Sequence, residues 1–145
     1  METCDVCREI SGEIELPGGL LWESETVLAF HVPPPLEPEP LIGHLLIVPR
    51  RHADTWADLT ASEASEIGQV AAALSGPLRA LTRAERIYSA VLGHHSPHFH
   101  LHVFPRYPGT PKEFCFMAVD EWEGSPKGGA DQIATFVQQL RSELR

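Results

Sequence analysis

No stretch of this sequence approaches the roughly 18 consecutive apolar residues of a membrane-spanning helix. Its most strongly apolar run is only Leu45-Leu46-Ile47-Val48, so no membrane partner is expected. The opening Met1-Glu2-Thr3-Cys4-Asp5 lacks the apolar segment of an export signal. Cysteine is scarce and odd in number, with 3 in 145 residues. The expectation is reduced thiols and a cytoplasmic protein. Positive charge is scarce too, with 11 Lys and Arg against 20 Asp and Glu, a net charge of −9. That argues against a general nucleic-acid binder, which needs a basic footprint. It leaves room for a small anionic ligand held by a local cluster of donors. At 145 residues and 43% hydrophobic, the chain reads as one domain over residues 1–145, with a core that needs no disulfide or metal merely to fold.

The pattern along the chain mixes strands and helices. Pro17-Gly18-Gly19 reads as a turn and residues 26–31 as a strand. Residues 33–40 are rich in proline and glutamate, hence an extended loop. Leu45–Val48, between Gly43 and Pro49, suits a buried strand. Thr60 and Glu63 stand at capping-box spacing. Ile67, Val70, Ala71, Leu74, Leu78 and Leu81 then follow on one helical stripe,. Pro77 is expected to kink or end that helix. Residues 87–92, 98–104 and 114–119 read as strands. Ile133, Phe136, Val137, Leu140 and Leu144 mark one face of a last helix. The fold class is therefore α+β, an antiparallel sheet covered by helices. Cys115 is expected as a buried thiol and Trp122 in the core.

Three alternating histidines, His98, His100 and His102, concentrate the chemistry. On a strand they share one face, while Phe99, Leu101 and Val103 point to the other. Each imidazole carries polar nitrogens that require partners. The pattern admits a histidine-rich solvated face, a catalytic metal site in which histidines activate water, phosphate chemistry with a neutral imidazole as nucleophile, or a structural metal module.

The run His98-Phe99-His100-Leu101-His102-Val103-Phe104, followed by Pro105-Arg106, resembles the signature of the histidine-triad (HIT) superfamily. The upstream Phe30-His31, Gly43-His44, Leu46–Arg50 and Arg51-His52, together with Cys4-Asp5-Val6-Cys7, extend the resemblance over roughly residues 4–107. It implies a HIT-like fold with about five antiparallel strands and flanking helices. It also implies a homodimer and a small-molecule nucleotide as ligand. His100 would attack the α-phosphorus of a nucleotide phosphoramidate, adenylate or dinucleoside polyphosphate, forming a nucleotidyl-histidine that water or another acceptor resolves. His102 would donate to a phosphate oxygen or the departing group, with His44 beside the phosphate and His95 and Ser96 helping to bind substrate. Arg50, Arg51 and Arg106 are expected nearby.

The same resemblance implies a structural zinc on Cys4, Cys7, His52 and His98, which separates His98 on the metal from His100 free to react. The match has gaps. Family members carry an acidic or amide residue shortly after the Phe30 position, where this chain has Val32 and prolines, with Glu37 or Glu39 as candidate replacements. The polar set before the triad is replaced by Gly93-His94-His95-Ser96-Pro97. These gaps sustain an alternative, a non-catalytic zinc-stabilised nucleotide-binding module. A hydrolase using the triad itself as zinc ligands is a third possibility, which the separate Cys-x-x-Cys pair disfavours.

Overall fold

The computed structural model describes residues 4–34, 39–93 and 96–144. A short helix α1 (Asp5–Ser11) leads into β1 (Leu20–Glu23) and β2 (Val27–His31). Then come β3 (Leu45–Pro49), a long helix α2 (Ala61–Thr82), β4 (Arg86–Ala90), β5 (Leu101–Arg106) and the last helix α3 (Ala130–Glu143). The strands form one antiparallel sheet in the order β1-β2-β3-β5-β4. Among the described residues no helix is long and apolar enough to cross a membrane.

Period-two alternation assigns each strand residue to a side. Val27, Ala29, Leu45, Ile47, Leu101 and Val103 face α2 and α3, where Ile67, Val70, Leu74, Leu78, Ile133 and Leu140 complete the main core. Leu28, Phe30, Leu46 and Val48 face the opposite way and pack with Cys4 and Val6 of the N-terminal segment. Thr60 caps α2 as its spacing predicts: its hydroxyl accepts from the Glu63 N–H at 3.0 Å, and the Glu63 carboxylate accepts from the Thr60 N–H at 2.8 Å.

Several expectations need correction. Pro77 does not end α2, which runs on to Thr82, because fully buried Leu74 and Leu78 hold both sides of the proline against the sheet. The strand expected over 98–104 pairs only from Leu101; the Phe99 N–H bonds to the Ala53 carbonyl at 2.6 Å, outside the ladder. No strand forms over 114–119. A 3-10 helix spans Phe116–Glu121 instead. The Arg106 guanidinium donates to the carbonyls of Phe114, Thr110 and Pro111 at 2.7–3.0 Å, capturing groups a ladder would use. Cys115 is consequently exposed. Trp122 is half-buried over Gly109 and Gly124, outside the core clusters. Neither α1 nor β1 was signalled by apolar periodicity.

The turn before β3 is fixed by a buried histidine. His31, at the end of β2, is 1% exposed. Its Nε2 accepts from the Gly43 N–H at 2.9 Å, so its Nδ1–H donates to the Val32 carbonyl at 2.8 Å. Gly43 has φ +97°, and a Cβ there would lie 3.0 Å from Pro105, so only glycine fits. Burial drives the His31 pKa down from 6.5 to about 4, against the smaller opposing pull of the Val32 carbonyl. The unfolded chain therefore takes up a proton that the folded chain refuses. This contribution to stability is present above pH 6.5 and is lost as pH falls toward 4. Between pH 7 and pH 5 His31 alone should remove about 2 kcal/mol of stability. Denaturant titrations across that range should show the loss, and the His31→Gln variant, though less stable, should show a flatter pH dependence.

Candidate functional site

The sheet delivers two adjoining groups of side chains. The first joins Cys4, Cys7, His52 and His98, whose ligand atoms all lie within 4.8 Å of one another. Cys7 Sγ is 3.2 Å from His52 Nδ1 and 3.4 Å from His98 Nδ1. Cys4 Sγ is 3.7 Å from His98 Nδ1. These are about the edge lengths of a tetrahedron with metal–sulfur bonds near 2.3 Å and metal–nitrogen bonds near 2.0 Å. The tautomer of His98 fits as well. Its Nε2 lies 2.7 Å from the Pro49 carbonyl, which only accepts, so Nε2 carries the proton and Nδ1 offers its lone pair to the cysteines. His98 is fully buried, and that burial lowers its pKa and keeps it neutral. The group could hold a metal ion with a closed set of two sulfurs and two nitrogens.

Local structure explains how the four residues meet. Cys4 Sγ accepts from the Cys7 N–H at 3.3 Å and caps α1, so the pair folds onto one helical turn. His52 follows Arg51, whose guanidinium forks onto buried Glu63 at 2.8 and 3.1 Å. That bidentate pair anchors the loop carrying His52 to the start of α2.

The second group joins His44, His100 and His102. His44 sits in the turn held by His31, one residue before β3, and His102 lies on β5 beside Leu46. His44 Nε2 and His102 Nδ1 share a hydrogen bond of 2.9 Å. The rings of His100 and His102 are 4.9 Å apart. His100 Nδ1 lies 2.7 Å from the His98 carbonyl, again an acceptor only, so Nδ1 carries the proton and Nε2 keeps a free lone pair. Burial, followed by the neighbouring His102, His31 and His100, lowers the His44 pKa to about 3. Burial, then His100, lowers that of His102 to about 4. Both rings are neutral at physiological pH. The arrangement offers the lone pair of His100 Nε2 beside one free N–H of the hydrogen-bonded His44–His102 pair.

Other expected residues lie elsewhere. Ser96 Oγ is 3.9 Å from Cys4 Sγ, on the side of the metal-type group. His95 and Glu37 fall outside the described residues, and Glu39 is exposed. The three arginines are engaged in structural roles: Arg51 with Glu63, Arg106 with loop carbonyls and with Glu85 at 3.4 Å, and Arg50 with the Ser24 carbonyl at 2.8 Å. Sequence reasoning missed His31, which sets the His44 turn, and Glu9, a buried acid on α1 that is 8% exposed. The helical periodicity of a seven-residue element is too short to flag either face.

Comparison with known proteins agrees with this geometry. The HIT domain family model matches residues 13–109, a span that holds both histidine groups but not the two N-terminal cysteines. The bifunctional bis(5'-adenosyl)-triphosphatase/adenylylsulfatase of Arabidopsis thaliana is 28% identical over 114 residues, covering 71% of this chain and 63% of that protein. The chain thus spans less than two thirds of the length of that curated relative. Among solved structures, a Hit-like protein involved in cell-cycle regulation from Bartonella henselae superposes with a TM-score of 0.75 at 16% identity, covering 99% and 98% of the two chains. A zinc-bound histidine triad family protein from Mycobacterium smegmatis superposes with a TM-score of 0.71 at 18% identity, covering 98% and 95%. With the family match spanning well over half of its length, and a five-stranded antiparallel sheet that superposes on such proteins, the chain belongs to the HIT family.

Proposed function

We propose that this chain is a nucleotide hydrolase or nucleotidyl transferase that works at the α-phosphate of a nucleotide phosphoramidate, adenylate or dinucleoside polyphosphate. The observation that carries the reading is the hydrogen bond from His100 Nδ1–H to the His98 carbonyl. It leaves the lone pair of His100 Nε2 free to act as a nucleophile. Attack of Nε2 on the α-phosphorus forms a P–N bond while the bond to the leaving group breaks. The imidazolium character that develops on His100 is stabilised by the carbonyl dipole at Nδ1. Water or another acceptor then attacks phosphorus, and His100 leaves in its neutral form.

In this reading His44 donates its Nε2–H to His102 Nδ1. That fixes the proton of neutral His102 on Nε2, where it serves a phosphate oxygen or the departing group. Burial supports the role, because a neutral His102 donates its one free N–H without trapping phosphate as a permanent ion pair would. The family resemblance adds His95, outside the described residues, and Ser96, beside the metal-type group, as further candidate substrate contacts. The chain acts as one domain over residues 1–145, pairs as a homodimer and works in the cytoplasm on a small-molecule nucleotide.

The metal in this reading is zinc, which two thiolates and two neutral imidazoles favour. With its four positions filled by Cys4, Cys7, His52 and His98, its part is structural. It would tie α1 to the loop after β3 and to the start of the triad.

His100→Ala should lower kcat/KM by about four orders of magnitude or more, with metal content and thermal midpoint retained. Wild-type protein quenched within seconds of mixing with adenylated and guanylated substrates should carry a nucleoside-monophosphate adduct on the peptide holding His100. An unchanged rate in the variant would refute the nucleophile. Nucleotide binding with neither adduct nor turnover would favour the binding module. For the metal, elemental analysis should return one zinc per chain. Chelation or Cys4→Ser should lower the thermal midpoint by about 10 °C or more. Turnover should survive metal removal at temperatures where the fold persists; its loss there would make the metal catalytic.

A further inference from the structure

Tyr107 follows β5 directly, and its ring packs against the cluster of Leu41, Phe104 and Val119. Its hydroxyl donates to the Ile42 carbonyl at 2.7 Å. Any half-buried phenol needs an acceptor, and this one finds it two residues before His44. Burial pushes the hydroxyl pKa well above its ordinary value, so the group stays a donor throughout the physiological range.

The Ile42 carbonyl and the Gly43 N–H belong to one planar peptide group. That N–H donates to His31 Nε2 at 2.9 Å. Tyr107 and His31 therefore grip opposite ends of the same plane, one from the segment after β5 and the other from the end of β2. The grip matters because the plane leads into Gly43, at φ +97°. A residue without Cβ offers little steric resistance to rotation of the peptide before it. Neighbouring peptide groups are held by backbone partners. The Ile42 N–H donates to the Pro126 carbonyl at 2.9 Å, the His44 N–H to the Leu41 carbonyl at 3.2 Å, and the His44 carbonyl accepts from the Val32 N–H at 2.9 Å. The Ile42–Gly43 plane depends on two side chains. Released at its carbonyl, it can pivot about His31 and shift the start of His44, whose Nε2 must meet His102 Nδ1 at 2.9 Å.

We propose that Tyr107 is a positioning residue that fixes His44 against His102 through the Ile42–Gly43 peptide. The inference rests on the proposed function and adds a residue from outside the histidine group. In that reading His44 sets which nitrogen of His102 carries the donated proton. The Tyr107 hydroxyl thus governs how the donor is presented without touching substrate. Misplacing such a donor slows the chemical step more than it weakens binding.

The test compares Tyr107→Phe, which keeps the ring and removes the hydroxyl, with Thr110→Val. The Thr110 hydroxyl donates to the carbonyl of Tyr107 at 2.7 Å, so this control removes one hydrogen bond from the same segment and leaves the Ile42 carbonyl held. Both variants, as zinc-loaded full chains, are read by kcat and KM on adenylated and guanylated substrates, by thermal midpoint, and by the NMR shifts of the His44 and His102 ring nitrogens. Tyr107→Phe should lower kcat about tenfold or more, keep KM within about twofold, and move the His44 Nε2 and His102 Nδ1 signals. Thr110→Val should lower the thermal midpoint with kcat and both signals unchanged. Unmoved signals in Tyr107→Phe, an unchanged kcat in an active chain, equal losses of kcat in both variants, or failure of Tyr107→Phe to fold would each overturn the assignment. The nitrogen signals separate this inference from the reaction it rests on. Signals that move in a chain without turnover would keep the positioning and remove the reaction. Turnover by wild type, with signals that stay fixed in Tyr107→Phe, would do the reverse.

Discussion

His98 uses each of its acceptors and its ring donor for a different purpose, and the rest of the site depends on that division. Its Nε2–H is held by the Pro49 carbonyl at the end of β3. Its Nδ1 lone pair joins Cys4, Cys7 and His52. Its backbone carbonyl accepts from His100 Nδ1. One buried residue thus links the strand end, the metal-type group and the tautomer of the candidate nucleophile. The bend at His98 follows from this. A residue that kept regular ladder geometry would not also bring its ring to the cysteines on α1, so pairing begins only at Leu101.

The acidic composition finds its counterpart in a site where, among the described residues, the expected arginines are all paired elsewhere. Arg50, Arg51 and Arg106 neutralise carboxylates or hold loop carbonyls, and the residues gathered around His100 are neutral imidazoles. Burial keeps them so, with His44 and His102 driven to about 3 and about 4. Under the proposed function, a phosphate there would meet the free N–H of the His44–His102 pair in a partly desolvated setting, where a hydrogen bond is electrostatically stronger than in water. A chain with net charge −9 would, under the proposed function, hold a small anion through local geometry in place of an extended positive field.

Elements whose signals are local were legible in the sequence. The capping box at Thr60 and Glu63 set the start of α2, and the apolar stripes of α2 and α3 matched the buried faces. The spacing of Cys4 and Cys7, with the family resemblance that added His52 and His98, anticipated a group the fold does assemble. Signals that depend on tertiary partners were not legible. The α1 helix is short and is capped by a thiol, which no propensity scale anticipates. The segment over 114–119 has strand composition, yet Arg106 takes its carbonyls, so local preference yields to a side chain from β5. His31 reads as one more strand residue until its Gly43 contact is seen. The arginines were expected near the site, but Arg50 and Arg51 are held by Ser24 and Glu63, and Arg106 by carbonyls of the loop that follows β5.

The sheet register ties these strands together. On β2, β3 and β5 the odd-numbered residues from Val27 to Ala29, Leu45 to Ile47 and Leu101 to Val103 enter the helix-covered core. The even-numbered residues carry Leu28, Phe30, Leu46 and His102 on the other side. A slip of one residue in β5 would move His102 into the apolar core and expel Val103. The burial of Val103 at 1% exposure is thus also what holds His102 against His44, and the packing of one face specifies the chemistry of the other. Phe104 shows the same coupling along the strand: its ring lies 5.2 Å from that of His44 while it packs with Leu41 and Val119. The histidine pair is therefore positioned from both ends, by His31 through the turn before β3 and by the aromatic neighbour that follows His102 on β5.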